Sequence, residues 1–244
     1  MGVLNQRAIR GTGYKIVHCC GAARGFCFGT YGFMRKLTMK SVPDLRISQL
    51  LAARLCHELV GPITAVANGA DLLCDDGVET DQEALALVGE SALRAASRLE
   101  FYRFAYGFVG DGRAAGPSPG ELAAEYFKGS RIFCRYGDEV RSLPLIQQQL
   151  ACNLLVIGAE ALGSGGVIAV ESMDCGIRLE AAGEDVSMAR EQSAALTLMT
   201  PVVDLSARTV HGYFTGLLAW VQGWQLVEAT TPGRLYITLL PPAG

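Results

Sequence analysis

The spacing of apolar residues in the first half of the chain predicts two long helices. From Pro43 to about Cys74, apolar side chains recur every three or four positions, which is typical of one buried face on a single helix. A turn is predicted at Asp75-Asp76-Gly77, after which Thr80 or Asp81 can cap a second helix. The apolar positions of that second helix alternate in spacing between three and four, and they are Leu85, Val88, Ala92, Ala95, Leu99, Tyr102 and Tyr106.

A heptad seam of this length predicts pairing between helices. Two antiparallel helices do not bury such long faces by themselves. We therefore expect residues 41–109 to form an antiparallel helical hairpin that joins a second copy in a dimeric four-helix bundle. The alternative is that the second half of the same chain covers the seam.

The pattern changes after a glycine- and proline-rich linker at residues 110–119. Within residues 120–244 we predict helices near 120–128, 144–162, 187–199 and 205–222, and strands near 131–136, 166–172, 176–182, 224–229 and 234–240. Helices and strands in this order are typical of an α+β fold, here a sandwich with helices on one face of a mixed sheet.

Composition adds a core and an uneven charge. Half of the residues are apolar, which is enough for a substantial core. The formal charge is -3, yet residues 1–38 hold six Lys or Arg and no acid, so the remainder carries a net charge of -9. We expect residues 1–40 to be a disordered tail or the product of a start codon assigned too far upstream. The acidic remainder disfavours nucleic-acid binding.

The cysteines indicate a reducing compartment. None of the eight forms a Cys-x-x-Cys pair, and five stand singly in apolar segments, as buried reduced thiols do. His18 lies beside two adjacent cysteines, a spacing that does not match a zinc site, so we predict no metal. No uninterrupted apolar run approaches the roughly 20 residues needed to span a bilayer. We therefore expect a cytoplasmic protein that does not insert into a membrane.

His57 is the candidate for chemistry. An acid, Glu58, follows it directly, and Pro62 comes five residues later. A helical projection places the imidazole away from the apolar stripe, on a face that also holds Ala53, Arg54, Gly61, Thr64 and Asn68. A helical imidazole presented to solvent beside a carboxylate is suited to accepting a phosphoryl group.

Residues 45–242 resemble the transmitter of histidine kinases, which is a phosphoacceptor hairpin followed by an ATPase-like domain. The segment His57-Glu58-Leu59 with Pro62 is similar to the H-box of the kinases. Residues 149–155 resemble the start of their first ATP-site helix, and residues 213–241 resemble their closing helix and hairpin.

The ATP-site motifs of those kinases are missing. Ile157 and Gly158 stand where a second Asn is expected after Asn153, and no Asp-x-Gly-x-Gly segment occurs between residues 165 and 190. Residues 208–213 replace the Gly-rich lid. A nucleotide pocket needs glycine amides for the phosphates and carboxamide oxygens for Mg²⁺, so we expect no nucleotide and no other cofactor.

A kinase-like hairpin joined to such a degenerate ATPase-like domain resembles the ChpT-type histidine phosphotransferases of alphaproteobacterial cell-cycle relays. The resemblance implies that His57 takes a phosphoryl group from the receiver domain of a hybrid kinase and passes it to receiver-domain response regulators. Mg²⁺ would be held by the partner receiver only, and no ATP-dependent autokinase activity is expected. Two alternatives are a diverged histidine kinase that still uses ATP and a non-catalytic dimeric adaptor that binds receivers.

The resemblance also suggests roles for the neighbours of His57. Glu58 would orient the ring or accept its other proton. Arg54 would hold the phosphoryl oxygens or the acidic rim of a receiver, with an ordinary surface arginine as the alternative. The small Gly61 would let a partner approach the ring closely, and the receiver would dock on a face that also holds Thr64 and Asn68. His211 is expected to be a surface or capping histidine outside the site.

Overall fold

The computed structural model describes residues 45–74, 82–107, 116–173 and 176–241 of the chain. The predicted tail at 1–40, the turn at 75–77 with its capping candidates, and residues 110–115 of the predicted linker lie outside these ranges. The helices are α1 (Leu45–Cys74), α2 (Gln82–Tyr106), α3 (Pro119–Phe127), α4 (Asp138–Arg141), α5 (Leu145–Glu160), α6 (Arg190–Leu196) and α7 (Val210–Val221). The strands are β1 (Ile132–Tyr136), β2 (Gly166–Met173), β3 (Gly176–Ala182), β4 (Gln225–Thr231) and β5 (Arg234–Leu240), with a short 3-10 helix at Val202–Asp204.

Helices α1 and α2 pack along their length as the predicted hairpin. Pro62 lies inside α1, which runs as one helix through it. The two helices approach closely, because a Cβ added to Gly69 of α1 would overlap the side chain of Val88 in α2. The small residue at position 69 therefore permits the contact.

The heptad period predicted for α2 is right, but the predicted seam does not lie in one environment. Its earlier part is largely exposed, and its end is buried in the core. Over residues 84–95 the least exposed positions are Ala84, Val88, Ser91 and Ala95, spaced four, three and four apart. Of the predicted seam, Leu85 and Leu99 remain 54% and 49% exposed. At the end of α2, Phe101, Tyr102 and Ala105 are buried in the same core as the second half of the chain. The second half thus covers the end of the hairpin and leaves the earlier seam open.

Within the described residues, α1 is also long and apolar enough to cross a membrane by length and composition. Its most apolar 18-residue window has a mean hydropathy of 1.3, and 6% of that window is buried. One such helix is weak evidence for a span, because the test considers length and composition alone.

The second half is built on a five-stranded mixed sheet in the order β1-β2-β3-β5-β4. Strands β1 and β2 are parallel, and the other neighbouring pairs are antiparallel. A tight turn at Pro232-Gly233 joins β4 to β5, and Gly233 has a φ of +74°, which glycine adopts without a steric penalty. On β3 the side chains of Ile177, Leu179 and Ala181 alternate into the core, which leaves the other face of the sheet more open. The α+β sandwich predicted from the sequence is confirmed.

Helix α5 forms the centre of the core and is buried from Gln148 to Gly158 on every side. It packs on β2 and β3 and also contacts α2 and α7. Gly158 lets the helix approach the sheet, because a Cβ there would lie 2.9 Å from Leu179 Cδ2. Ile157 is also buried, so both positions where a kinase-like second Asn would fall are used for packing.

The start of α7 differs from the prediction, which placed one helix over residues 205–222. The helix begins at Val210, after the separate 3-10 turn. Ser206 and Thr209 bind each other in between, since the Ser206 amide donates to Thr209 Oγ1 at 3.0 Å and the Thr209 amide donates to Ser206 Oγ at 3.3 Å. These reciprocal bonds have the form of a capping box and close the turn that leads into the helix.

Substituting Gly158 with Asn is expected to lower the free energy of unfolding by about 1–3 kcal/mol, because Leu179 must move and a carboxamide is forced into the core. The control is Gly61→Asn at an exposed helical position with nothing within 4 Å of an added Cβ, where the change should stay within about 0.5 kcal/mol. Urea denaturation of both variants measures the difference. Equal losses would contradict the packing explanation.

Candidate functional site

His57 lies in the middle of α1 with its side chain exposed, as predicted. Two cavities open beside it. One has a volume of about 570 Å³ and is formed between α1 and the second half of the chain; we call it the Arg208 cavity, and its lining consists of Ala53, Arg54, His57, Glu58, Glu160, Gln192, Ala207 and Arg208. The other has about 340 Å³ and lies between α1 and α2; we call it the Arg94 cavity, and its lining consists of His57, Glu58, Gly61, Pro62, Ala65, Ser91, Arg94 and Arg98. The imidazole is therefore accessible from two sides.

Glu58 is held in place by α2. Its Oε2 accepts a charge-assisted hydrogen bond from Nη1 of Arg98, and the pair is partly buried. The Arg98 guanidinium in turn lies over the ring of Tyr126 in α3, 5.4 Å from its centroid. The carboxylate thus has a defined position next to His57 along the helix. Its predicted action on the imidazole stays a prediction.

Arg54 is not on the surface, and the alternative of an ordinary surface arginine is wrong. The side chain is buried and pairs through Nη2 with Glu160 Oε1 at the end of α5. Burial alone would lower the pKa of Arg54, but the Glu160 carboxylate raises it above its ordinary value. The helical projection could not show this, because the covering residue is 106 positions away in the chain. The predicted contact of Arg54 with a phosphoryl group stays a prediction.

Gly61, Thr64 and Asn68 are all exposed on α1. An added Cβ at Gly61 would have no neighbour within 4 Å, so the surface one turn after His57 is open. These positions can be reached by a partner. Their predicted contact with a receiver stays a prediction.

His211 is fully buried, so the expectation of a surface or capping histidine is wrong. Its Nε2 lies 3.0 Å from the Asn153 carbonyl oxygen, which only accepts, so this nitrogen carries the proton. In the neutral ring Nδ1 then accepts from the Tyr106 hydroxyl at 2.9 Å. Burial, with a smaller effect from the Arg54 charge, lowers the pKa of His211 to about 3. The ring is a structural link between α2, α5 and α7.

The amide side chains of α5 serve the same link. Gln149 Nε2 donates to the carbonyl oxygens of Phe104 and Gly107 at 2.8 and 2.7 Å. Asn153 Nδ2 donates to the Ala105 carbonyl at 2.9 Å. The last carbonyls of a helix lack partners within the helix, and these carboxamides supply them. The residues that resemble the start of a kinase ATP-site helix thus bind the end of the hairpin.

Arg208 was overlooked by the sequence interpretation, which noted residues 208–213 only as a replaced lid. Its side chain is exposed and lines the same cavity as His57. The one available signal was its position in the segment that departs from the kinase pattern. Sequence spacing could not place it beside His57, because the two residues are far apart in the chain.

The described residues contain no group of three or more His, Cys, Asp or Glu side chains that could hold a metal ion. Four cysteines can be assessed, and all are free thiols. Cys152 is buried, and burial raises the pKa of the partly exposed Cys134 to about 12. The expectation of buried thiols is wrong for Cys56 and Cys74, which are exposed.

Comparison with known proteins adds three findings. Residues 120–231 match a family model described as the histidine phosphotransferase C-terminal domain. The protein phosphotransferase ChpT of Brucella abortus (strain 2308) is 31% identical over 201 residues, which covers 76% of this chain and 91% of that protein. A solved structure of a bacterial phosphotransferase has a TM-score of 0.65 at 29% identity and covers 82% of this chain and 98% of that chain.

Replacing His211 with Gln is expected to flatten the pH dependence of stability. The folded ring takes up a proton only near pH 3, whereas an unfolded histidine does so below about pH 6.5. The wild type therefore loses stability as the pH falls from about 6.5 towards 3, by up to about 1.4 kcal/mol per pH unit from this group. The variant should be less stable at pH 7 but show a shallower slope in urea unfolding measured between pH 7 and 4.5.

The control for this experiment is Tyr106→Phe, which removes the hydroxyl that binds Nδ1 but retains the buried imidazole. It should keep a slope as steep as that of the wild type. Parallel curves for the wild type and His211→Gln would show that the ring does not resist protonation in the fold.

Proposed function

Because the chain belongs to the histidine phosphotransferase family and transfers phosphoryl groups in a phosphorelay, we propose that His57 is the residue that carries the phosphoryl group. The observation that supports this most is the exposed imidazole at the junction of two cavities. The other histidine in the described part of the chain, His211, is buried and has both ring nitrogens engaged. Phosphoryl transfer needs an accessible nitrogen, and His57 offers one.

In the proposed reaction, the lone pair of one imidazole nitrogen attacks the phosphorus of an aspartyl phosphate on a receiver domain. The N–P bond forms while the P–O bond to the aspartate breaks, and the aspartate leaves as a carboxylate. The reverse of this step passes the group to the next receiver. Positioning and positive charge lower the barrier in reactions of this kind. We propose that the Glu58 carboxylate, which accepts from Arg98, orients the ring or takes up its second proton.

The chain is proposed to act without a nucleotide. Three features support this: Asn153 is buried against α2, and Ile157 and Gly158 are packed in the core. A diverged ATP-using kinase would need polar groups at these positions facing a pocket. We further propose that Mg²⁺ is held by the partner receiver and that this chain needs no cofactor of its own.

The chain works with kinases or receivers of two-component systems, as its family does. More specifically, we propose that its partners are the receiver domain of a hybrid histidine kinase and those of response regulators. They would dock on the exposed surface around His57, Gly61, Thr64 and Asn68. We propose that the protein acts in the cytoplasm and that it binds neither nucleic acid nor the membrane interior. We also propose two domains, a helical hairpin at residues 41–109 and a second domain at residues 120–244.

We also propose that the hairpin pairs with a second copy in a four-helix bundle. Leu85 and Leu99 on α2 and Ile63 on α1 are about half exposed. Between the helices runs a groove of about 580 Å³ lined by Leu55, Ala96, Leu99, Glu100, Tyr102, Arg103, Tyr106 and Gly107. A heptad stripe of this kind is what a helix of a second copy packs into. Burying it would remove the apolar surface that one chain leaves open.

The phosphotransfer proposal is tested by mixing the purified protein with a receiver domain phosphorylated on aspartate, in the absence of ATP, and following the label. The label is expected to move to the wild type and to remain on the receiver with His57→Ala. Labelled ATP alone should give no phosphoprotein. Autophosphorylation would favour the kinase alternative, and stable receiver binding without label transfer would favour the adaptor.

The dimer is tested by substituting both Leu85 and Leu99 with Glu and measuring mass by light scattering. The double variant should be a folded monomer at concentrations where the wild type is a dimer, because buried charges oppose the interface. Leu87→Glu is the matched control, since Leu87 is 51% exposed on the opposite side of α2 and the variant should remain a dimer. A monomeric wild type would refute the bundle.

A further inference from the structure

We propose that Arg208 is a catalytic residue that binds the oxygens of the transferring phosphoryl group beside His57. The inference rests on the proposed role of His57 and extends it to a side chain from the second half of the chain. Arg208 and His57 line one cavity of about 570 Å³, from opposite parts of the sequence.

Four arginines line the two cavities at His57, and two of them are neutralised by carboxylates. Arg54 is paired with Glu160, and Arg98 is paired with Glu58. The second carboxylate oxygen of Glu160 also has a partner, since Oε2 accepts from Gln192 Nε2 at 3.1 Å. Both carboxylates that line the Arg208 cavity therefore already have partners.

Arg208 is the cation of this cavity that is not paired in this way. Its side chain is exposed, and among the ion pairs of the described residues none involves it. Burial raises the pKa of Glu160 above its ordinary value, and the charges of Arg54 and, to a smaller extent, Arg208 oppose this rise, so the Arg208 guanidinium lies near the paired end of α5. Arg208 thus adds a positive charge next to the imidazole that neither carboxylate of the cavity pairs with.

The backbone holds Arg208 in this position. Arg208 lies in the turn closed by the reciprocal bonds between Ser206 and Thr209. Leu205, at the start of this turn, is buried, and its carbonyl oxygen accepts from Arg46 Nη2 of α1 at 2.9 Å. The turn is thus bound directly to the helix that carries His57. An exposed arginine on a mobile loop would not have this fixed relation to the ring.

The chemistry of the guanidinium fits the group that arrives there. It is planar and permanently charged, and it donates parallel hydrogen bonds to two oxygens of a phosphoryl group. Negative charge on these oxygens persists through phosphoryl transfer, and an arginine placed beside them stabilises the transition state. Arg208 would therefore act on the phosphoryl oxygens while the N–P bond forms and the bond to the aspartate breaks. Arg208 takes no part in proton transfer to or from the imidazole.

The experiment measures single-turnover transfer from a phosphorylated receiver at saturating receiver concentration, so that docking affinity does not limit the rate. Arg208→Gln is expected to slow transfer about 10- to 100-fold, which is the loss expected for a hydrogen bond to a charged group. Arg208→Lys keeps the charge but not the bidentate geometry and should fall between the wild type and the Gln variant. Melting temperatures should match that of the wild type, because the side chain is exposed.

The matched control is Arg178→Gln, an exposed arginine on strand β3 outside the Arg208 cavity, which should transfer at the wild-type rate. Wild-type rates for Arg208→Gln would overturn the proposal, as would a loss that is accompanied by a lower melting temperature. A loss that disappears at saturating receiver would also overturn it and assign Arg208 to docking. Label transfer to His57→Ala would instead refute the proposed function itself, so the two failures can be told apart.

Discussion

The position of His57 depends on how two carboxamides of α5 bind the end of α2. Gln149 and Asn153 donate to the carbonyl oxygens of Phe104, Ala105 and Gly107, which have no partner within the helix. Each bond contributes on the order of 1 kcal/mol, but an unpaired buried polar group costs about 1–3 kcal/mol, so the arrangement resists change. His211 adds a third connection, between the Tyr106 hydroxyl and the Asn153 carbonyl. The hairpin is thereby attached to the core of the second half, and the Arg208 cavity acquires a defined wall.

This attachment uses the part of the fold that resembles a kinase nucleotide site. Asn153 stands where the resemblance places the first ATP-site Asn, yet its side chain is buried in hydrogen bonds to helix carbonyls. Gly158 allows α5 to lie against Leu179, where a larger residue would push the helix away from the sheet. The stretch of α5 from Gln148 to Gly158 is buried on all sides, so it cannot also form one wall of an open pocket. The same residues therefore explain a rigid hairpin and disfavour a nucleotide.

Charge around His57 is organised in pairs. Arg54 with Glu160 and Arg98 with Glu58 fix two walls of the site without adding net charge. Arg208 on one side and Arg94 on the other remain exposed in the two cavities that share the imidazole. A protein whose residues 39–244 carry a net charge of -9 thus presents a locally positive surface at the place where a phosphoryl group is expected. Local pairing, rather than overall charge, decides the field at the ring.

Periodicity was sufficient to locate the two long helices, the mixed sheet and the exposed face of His57, because these depend on neighbours within a few residues. The same reasoning could not show that Arg54 is buried and misplaced His211 on the surface, because their surroundings come from residues 106 and 58 or more positions away. It also treated the face of α2 as one seam, whereas the second half of the chain covers only its end. For Arg208 the one local signal was its position in the segment that departs from the kinase pattern. Contacts between distant segments decided which polar side chains are buried and paired and which remain available beside the imidazole, since burial and charge neutralisation are properties of packing and not of local spacing.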